Sequence, residues 1–128
     1  GIATNAQSIS DGSANTATII SLLGTNGGTP YAAEVCSAYE VDSQGNTPCQ
    51  AGNACYNDWF LPAQDQLNAL YINQVAIGGF SVGVYWSSTE FSANPTVSAW
   101  FQSFQAGVQS VSTKVTNASV RCVRSITP

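Results

Sequence analysis

The three cations of this chain, Lys114, Arg121 and Arg124, all lie in the segment KVTNASVRCVR, residues 114–124. All seven acidic residues precede this segment, and the last of them is Glu90. Arginine binds sulfate-like oxyanions through paired N–H groups, and lysine binds them as a point charge. The segment therefore indicates a docking face for an anionic ligand, with structural ion pairs to the acids as the alternative.

Strand geometry predicts different roles for these cations. If the end of the chain forms a β-hairpin, Lys114 lies near its turn and is exposed. Alternation of side chains along a strand places Arg121 and Arg124 on opposite faces. We therefore expect Lys114 and Arg124 to bind the ligand at a sheet edge. Arg121 is expected to be partly structural, covered and paired with Asp58 or Glu90.

The residues needed for catalysis are poorly represented. The chain has no histidine, which excludes Ser–His and Cys–His pairs. Paired carboxylates hydrolyse glycosides, but nothing in the sequence brings together two of Asp58, Asp65 and Glu90. Asp42 and Asn46 offer oxygen ligands for calcium, without the twelve-residue frame and closing glutamate of an EF-hand. We therefore expect no enzymatic activity, no metal and no other cofactor.

Four cysteines, Cys36, Cys49, Cys55 and Cys122, allow three disulfide pairings. The absence of histidine and of CxxC spacing argues against a zinc site. Disulfides are favoured, and they imply an oxidising compartment. Cys49 and Cys55 bracket the short polar loop QAGNA, which can close locally, and that pairing leaves Cys36 with Cys122.

Three tryptophans offer another possible contact with a ligand, because an indole ring can stack on a sugar ring. Trp59, Trp86 and Trp100 each lie among apolar neighbours in the sequence. A role in the hydrophobic core is therefore favoured over sugar binding for all three.

Composition restricts the class of protein. A chain of 128 residues is expected to form one domain. A net charge of −4 with 8% charged residues argues against nucleic-acid binding. No apolar run approaches the roughly 20 residues that span a bilayer, so we expect no membrane insertion.

The first half of the chain predicts mainly helix and loop. Residues 1–16 are small and polar, typical of a linker or the end of a stalk, so the domain is expected to span residues 17–128. ATIISLL, residues 17–23, is β-branched and predicts a buried strand. A helix is predicted over residues 31–41, with an apolar face of Ala32, Val35, Cys36 and Tyr39.

A disulfide-closed loop is predicted over residues 42–58, followed by a second helix. Pro62 suits the first turn of that helix and Asp65 suits its positive end. Leu67, Leu70 and Tyr71 form the buried stripe.

The second half of the chain predicts strands separated by turn residues. Segments rich in β-branched and aromatic residues occupy 82–90, 98–104, 107–115 and 119–126. Helices followed by strands are typical of an α+β fold with an antiparallel sheet.

Several motifs resemble one known family. In order, they are DWFLPAQDQLNALY, IGGF, YWSSTE, AWFQSFQAG, the single lysine and VRCVR. This combination resembles the C-terminal domain family of the Lcl adhesin, the Legionella collagen-like protein, over about residues 31–125. LPAQDQL and RCVR are also similar to sulfatase-modifying and C-type-lectin-like folds. In those folds an early cysteine often bridges to a late strand, which supports the pairing of Cys36 with Cys122.

The resemblance implies a C-type-lectin-like fold, with two helices packed on an antiparallel sheet. It implies an adhesin module at the bacterial cell surface or outside the cell, carried as a homotrimer on a collagen-like stalk. Such a module binds sulfated glycosaminoglycans or related anionic polysaccharides and promotes host attachment and biofilm formation. The chain lacks the WND and EPN motifs of calcium-dependent lectins. The alternative is a structural trimerisation or pilus-associated module without its own glycan site.

Overall fold

The computed structural model describes residues 4–23, 31–94, 98–114 and 118–124. The helices are α1 (Gly12–Leu23), α2 (Ala32–Ala38), α3 (Gln64–Ile72) and α4 (Gln74–Ile77); the strands are β1 (Val41–Asp42), β2 (Cys55–Tyr56), β3 (Val84–Glu90), β4 (Ser98–Ser103) and β5 (Gln109–Thr113). Helices packed with antiparallel sheet confirm the α+β class. The described residues form four helical segments, where two were expected.

The main sheet has three antiparallel strands in the order β3-β4-β5, and β1 and β2 form a separate antiparallel ribbon. In the main sheet, Trp86 pairs with Phe101, and the register between β3 and β4 shifts before Glu90. The predicted strands at 82–90, 98–104 and 107–115 are therefore confirmed with slightly shorter bounds.

The hydrophobic core lies between α3 and the main sheet. Its buried cluster is Leu67, Tyr85 and Phe104, and the partly buried side chains packed against it are Leu70, Tyr71 and Phe80. The predicted stripe of α3 therefore does face the core. A buried amide supports the same contact, because Gln102 Nε2 donates to Asn68 Oδ1 over 2.9 Å.

The strand predicted for residues 17–23 is wrong, because this segment belongs to α1. Asp11 caps the helix: its Oδ1 accepts the N–H of Ala14 at 3.0 Å, which is a typical N-cap bond. Gly12 is buried and its N–H donates to Gln66 Oε1 at 2.9 Å. Capping and packing against α2 and β3 therefore outweigh the weak strand preference of β-branched residues.

The segment before α1, residues 4–11 of the predicted linker, packs against the end of β3, and residues 1–3 lie outside the described residues. Thr4 and Ala6 are buried. The Ala6 carbonyl accepts the N–H of Glu90 at 2.8 Å, and the Ser8 carbonyl accepts the hydroxyl of Thr89 at 2.8 Å. Small side chains let this polar segment lie close to the end of β3, and its backbone groups are satisfied there.

Two helices begin or end differently from their predictions. α2 ends at Ala38, and its buried residues are Ala33 and Cys36, with Val35 exposed. α3 begins at Gln64, so Pro62 precedes the helix. The start is set by Gln66, whose Oε1 accepts the N–H of Ala63 at 2.9 Å.

The predicted last strand is wrong within the described part of residues 119–126. Its pairings are two isolated bridges, one between Val123 and Phe60 and one between Ser119 and Tyr85. Because the segment bonds first to β3 and then to the chain before α3, it has no continuous partner strand. Side-chain alternation therefore does not apply to Arg121 and Arg124.

Both predicted disulfides are present. Cys36 of α2 is bonded to Cys122, with Cα atoms 5.2 Å apart, and Cys49 is bonded to Cys55, with Cα atoms 5.7 Å apart. The first bridge joins residues separated by 86 positions, whereas the second closes a local loop of 6. The long bridge therefore ties the end of the chain to α2.

We expect the two bridges to contribute unequally to stability. Replacing Cys36 and Cys122 with serine should lower the free energy of unfolding by about 4–5 kcal/mol, because a long loop restricts the unfolded chain strongly. Replacing Cys49 and Cys55 should cost only about 2 kcal/mol by the same relation. Urea unfolding of both double variants measures the difference, and equal losses would contradict it.

Candidate functional site

Lys114 forms an ion pair with a buried carboxylate. Its Nζ lies 2.7 Å from Glu90 Oε2, and the side chains are 26% and 3% exposed. The same oxygen accepts the backbone N–H of Thr4 at 2.7 Å and the Thr4 hydroxyl at 2.8 Å. The expectation of an exposed Lys114 is therefore corrected, because the lysine follows β5 at the end of the sheet, beside Glu90; residues 115–117, on which most of the expected turn falls, lie outside the described residues.

These contacts keep Glu90 ionised. Burial raises the pKa of the Glu90 carboxyl, but hydrogen bonds from Lys114 and Thr4 outweigh burial and hold the pKa below its ordinary value. The charge of Lys114 is therefore balanced by an acid, which reduces its attraction for an external anion.

Arg124 forms the second ion pair. Its Nε lies 2.6 Å from Asp58 Oδ1 and its Nη2 lies 3.2 Å from Asp58 Oδ2, a two-bond arrangement. The guanidinium also lies over the Tyr56 ring, 4.7 Å from the centroid. Hydrogen bonding between the partners lowers the pKa of Asp58 and raises that of Arg124. Asp58 therefore pairs with Arg124 and not with Arg121.

Arg121 contacts an aromatic ring instead of an acid. Its guanidinium carbon lies 4.4 Å from the Phe80 centroid, and its Nη1 donates to the Gly78 and Gly79 carbonyls at 3.4 Å. Within the described ranges, no carboxylate lies at ion-pair distance from Arg121. The prediction that Arg121 pairs with Asp58 or Glu90 is therefore wrong, since both acids bind the other two cations.

The three cations that lie together in the sequence therefore have different partners: Lys114 pairs with Glu90, Arg124 with Asp58, and Arg121 with the Phe80 ring. The ligand-binding role predicted for Lys114, Arg124 and Arg121 stays a prediction. Of the three, Arg121 is the most suited to binding an anion, because a cation without a carboxylate partner attracts an anion more strongly than a paired one.

Two further aromatic side chains lie near Tyr56, whose ring packs against Arg124. The Trp59 ring meets the Tyr39 ring edge-on, with centroids 5.1 Å apart, and Trp59 Nε1 donates to the Tyr56 carbonyl at 2.9 Å. We call Tyr39, Tyr56, Trp59, Asp58 and Arg124 the aromatic platform. The sequence indicates Trp59 as a possible contact with a sugar but gives no such signal for either tyrosine. Their alignment depends on the pairing of β1 with β2, which local patterns do not indicate.

The other two tryptophans lie in the main sheet. Trp86 is buried on β3 and faces Phe101 edge-on, with centroids 6.4 Å apart. Trp100 of β4 is half-buried and meets Phe91 edge-on, with centroids 5.8 Å apart. A packing role is therefore confirmed for Trp86, while Trp59 belongs to the platform.

The Asp42 carboxylate, considered above for calcium, organises a loop. It accepts hydrogen bonds of 2.8–3.1 Å from the backbone N–H groups of Gln44, Asn46 and Gln50 and from the side-chain amides of Asn46 and Asn53. The Asn53 bond is the largest cause of a pKa held well below its ordinary value. These hydrogen bonds to Asp42 therefore hold the loop that carries Cys49 and Cys55.

A cavity of about 550 Å³ lies between α1, α2 and the main sheet. Apolar side chains from both helices and from the sheet line it, among them Ile19, Leu23, Val35, Leu61 and Trp86. The pair of Glu90 and Lys114 also contributes to its wall. The cavity thus combines an apolar lining with one balanced ion pair.

A sequence profile of the Lcl C-terminal domain matches residues 10–124, a range that includes α1 and all five strands. No curated protein matches the chain. Among the described residues, no helix has the length and apolar character needed to cross a membrane.

We expect Lys114 to contribute more to stability than to ligand binding. Lys114→Met should lower the free energy of unfolding by about 2–3 kcal/mol, because Glu90 would remain buried without its cation. This value lies below the usual cost of breaking a buried pair because Lys114 is partly exposed. Denaturant unfolding measures the loss.

A matched control separates charge from packing. Adding Glu90→Gln to Lys114→Met removes the buried charge, so the double variant should recover part of the lost stability. If Lys114→Met unfolds like the parent, the ion pair does not hold this end of the sheet.

Proposed function

This chain belongs to the Lcl C-terminal domain family, and from that premise we propose that it binds sulfated glycosaminoglycans or related anionic polysaccharides. Family membership indicates a surface adhesin-type module, and two disulfides are consistent with an extracellular or surface location. We propose further that binding promotes host attachment and biofilm formation. The bridge from α2 to the last segment supports a C-type-lectin-like arrangement.

The observation that supports the proposal is that Arg121 has no carboxylate partner among the described residues. Its Nη1 bonds two carbonyls, while its Nε and Nη2 have no acceptor among the residues that the structure describes. The Phe80 ring under the guanidinium fixes its orientation without neutralising its charge. An oriented guanidinium with unused N–H groups suits a sulfate or carboxylate of a polysaccharide.

Arg124 and Lys114 are weaker contributors in this proposal. Each already binds a carboxylate, so an anion must share the cation with that acid. Arg124 is the better of the two, because its partner Asp58 is 56% exposed, whereas the Glu90 partner of Lys114 is buried.

A homotrimer would increase the affinity of such a site. One uncommitted arginine gives weak binding, since exposed charge pairs contribute about 0–1 kcal/mol each. Three copies that engage one polymer together raise the apparent affinity without any new type of contact.

The rival proposal is a structural module that trimerises or joins a pilus without binding glycan itself. Three exposed apolar side chains, called the apolar surface below, favour it: Ile72 is 70% exposed, Val75 95% and Val82 76%. These residues lie on α3, on α4 and in the loop before β3. Exposed apolar surface of this kind often marks a protein interface.

We expect Arg121→Ala to weaken binding to heparin several-fold in low salt, and we expect the effect to shrink as salt screens the contact. Binding is measured by calorimetry at two salt concentrations. Arg124→Ala should weaken binding less than Arg121→Ala, because Asp58 already balances the charge of Arg124. Melting temperatures establish that both variants fold.

The double variant Arg121→Ala, Arg124→Ala provides the decisive comparison. If it binds heparin as well as the parent in low salt, the cations do not form the docking face. If the parent itself binds no polysaccharide, the structural rival is favoured.

The rival makes its own prediction. If the apolar surface joins protomers, Val75→Asp should convert a trimer to monomers with little change in the melting temperature of the monomer, because Val75 is almost fully exposed. Sedimentation of the parent and of the variant measures this. A parent that is monomeric at every accessible concentration would contradict it.

A further inference from the structure

We propose that the aromatic platform binds an unsulfated pyranose ring of a polysaccharide, which packs in the corner between the edge-on rings of Tyr39 and Trp59 and makes hydrogen bonds to Asp58 and Arg124. The inference rests on the proposed function, because it assumes a polysaccharide ligand. It adds a second site, whose chemistry differs from that of Arg121.

The platform rings remain accessible to solvent. Tyr39 and Tyr56 are each 37% exposed, and neither belongs to the buried cluster under α3. Trp59 is half-buried. The exposure of these rings next to a carboxylate and a guanidinium therefore indicates a binding surface.

Local structure holds the platform in place before any ligand arrives. Trp59 is fixed by its bond to the Tyr56 carbonyl, and the next residue, Phe60, is buried and paired with Val123. Tyr56 lies on β2, whose neighbouring Cys55 is held by the local disulfide. A site that is already ordered loses little conformational freedom on binding.

The side chains match the two surfaces of a pyranose. The C–H face of the sugar is apolar and packs on an aromatic ring, as other apolar groups do. Each Asp58 oxygen accepts one bond from Arg124 and keeps a further lone pair for a sugar hydroxyl. Arg124 Nη1 can donate to the adjacent hydroxyl, so the pair can bind two neighbouring hydroxyl groups.

The expected ligand contact does not depend on sulfate. Asp58 balances the charge of Arg124, so the platform attracts no anion through net charge. Stacking, and hydrogen bonds between neutral sugar hydroxyls and this balanced ion pair, are only weakly screened by salt. Salt therefore separates the platform, which should bind at high salt, from Arg121, which should not.

The experiment compares heparin with a heparin that is desulfated, N-acetylated and carboxyl-reduced and so carries no anionic group, called the desulfated polymer below, at low salt and at about 1 M sodium chloride, where screening acts beyond roughly 3 Å. We expect the parent to bind the desulfated polymer equally at both concentrations. Tyr39→Leu and Trp59→Leu should each weaken that binding roughly five- to tenfold. Tyr39→Phe should bind like the parent, and Trp100→Leu is the matched control outside the platform.

The Trp59 indole supplies a readout on the unaltered protein. Saturating desulfated polymer should shift the Trp59 N–H signal in an NMR spectrum and leave that of buried Trp86 unchanged. This measurement tests the site even if a leucine variant fails to fold.

The outcomes separate this inference from the proposed function. If the parent binds only sulfated heparin in low salt, or if platform variants bind the desulfated polymer like the parent, the platform proposal is overturned and the anionic-polysaccharide proposal survives. If the parent binds neither polymer at either salt concentration, both proposals fail.

Discussion

The Glu90 carboxylate is the constraint on which this end of the structure depends. A buried ionised acid is unfavourable unless charge and hydrogen bonds compensate it. Here Lys114 supplies the charge, and Thr4 supplies two donors to the same oxygen. These partners come from the opposite ends of the chain. The three bonds to one oxygen of this carboxylate therefore hold the segment before α1, the end of β3 and the residue after β5 in a single arrangement.

The pairing of acids with cations also decides which cations remain available to a ligand. Glu90 engages Lys114, and Asp58 engages Arg124. Arg121 has an aromatic partner and keeps its net charge uncompensated within the described ranges. The concentration of cations in one segment thus serves mainly to close the fold. The proposed anion binding depends mainly on Arg121, which has no carboxylate partner among the described residues.

The ion pair of Arg124 and Asp58 also has a structural and a proposed binding role. It joins the last segment to the chain just after β2, beside Tyr56. Nearby, Cys122 is bonded to α2 and Val123 pairs with Phe60. A surface held by a disulfide, a backbone bridge and an ion pair is rigid enough to present aromatic rings in a fixed geometry. The proposed sugar contacts therefore follow from the way the chain end is held.

The sequence by itself determined the α+β class, three strands of the main sheet, the core stripe of α3 and both disulfides. These features follow from local periodicity, from the composition of each segment and from the short loop between two cysteines. Tertiary structure decided the helix at residues 12–23, because capping and packing outweighed β-branched propensity. It also decided the partner of each cation. That choice depends on which acid a folded backbone brings within reach, and no local spacing encodes this.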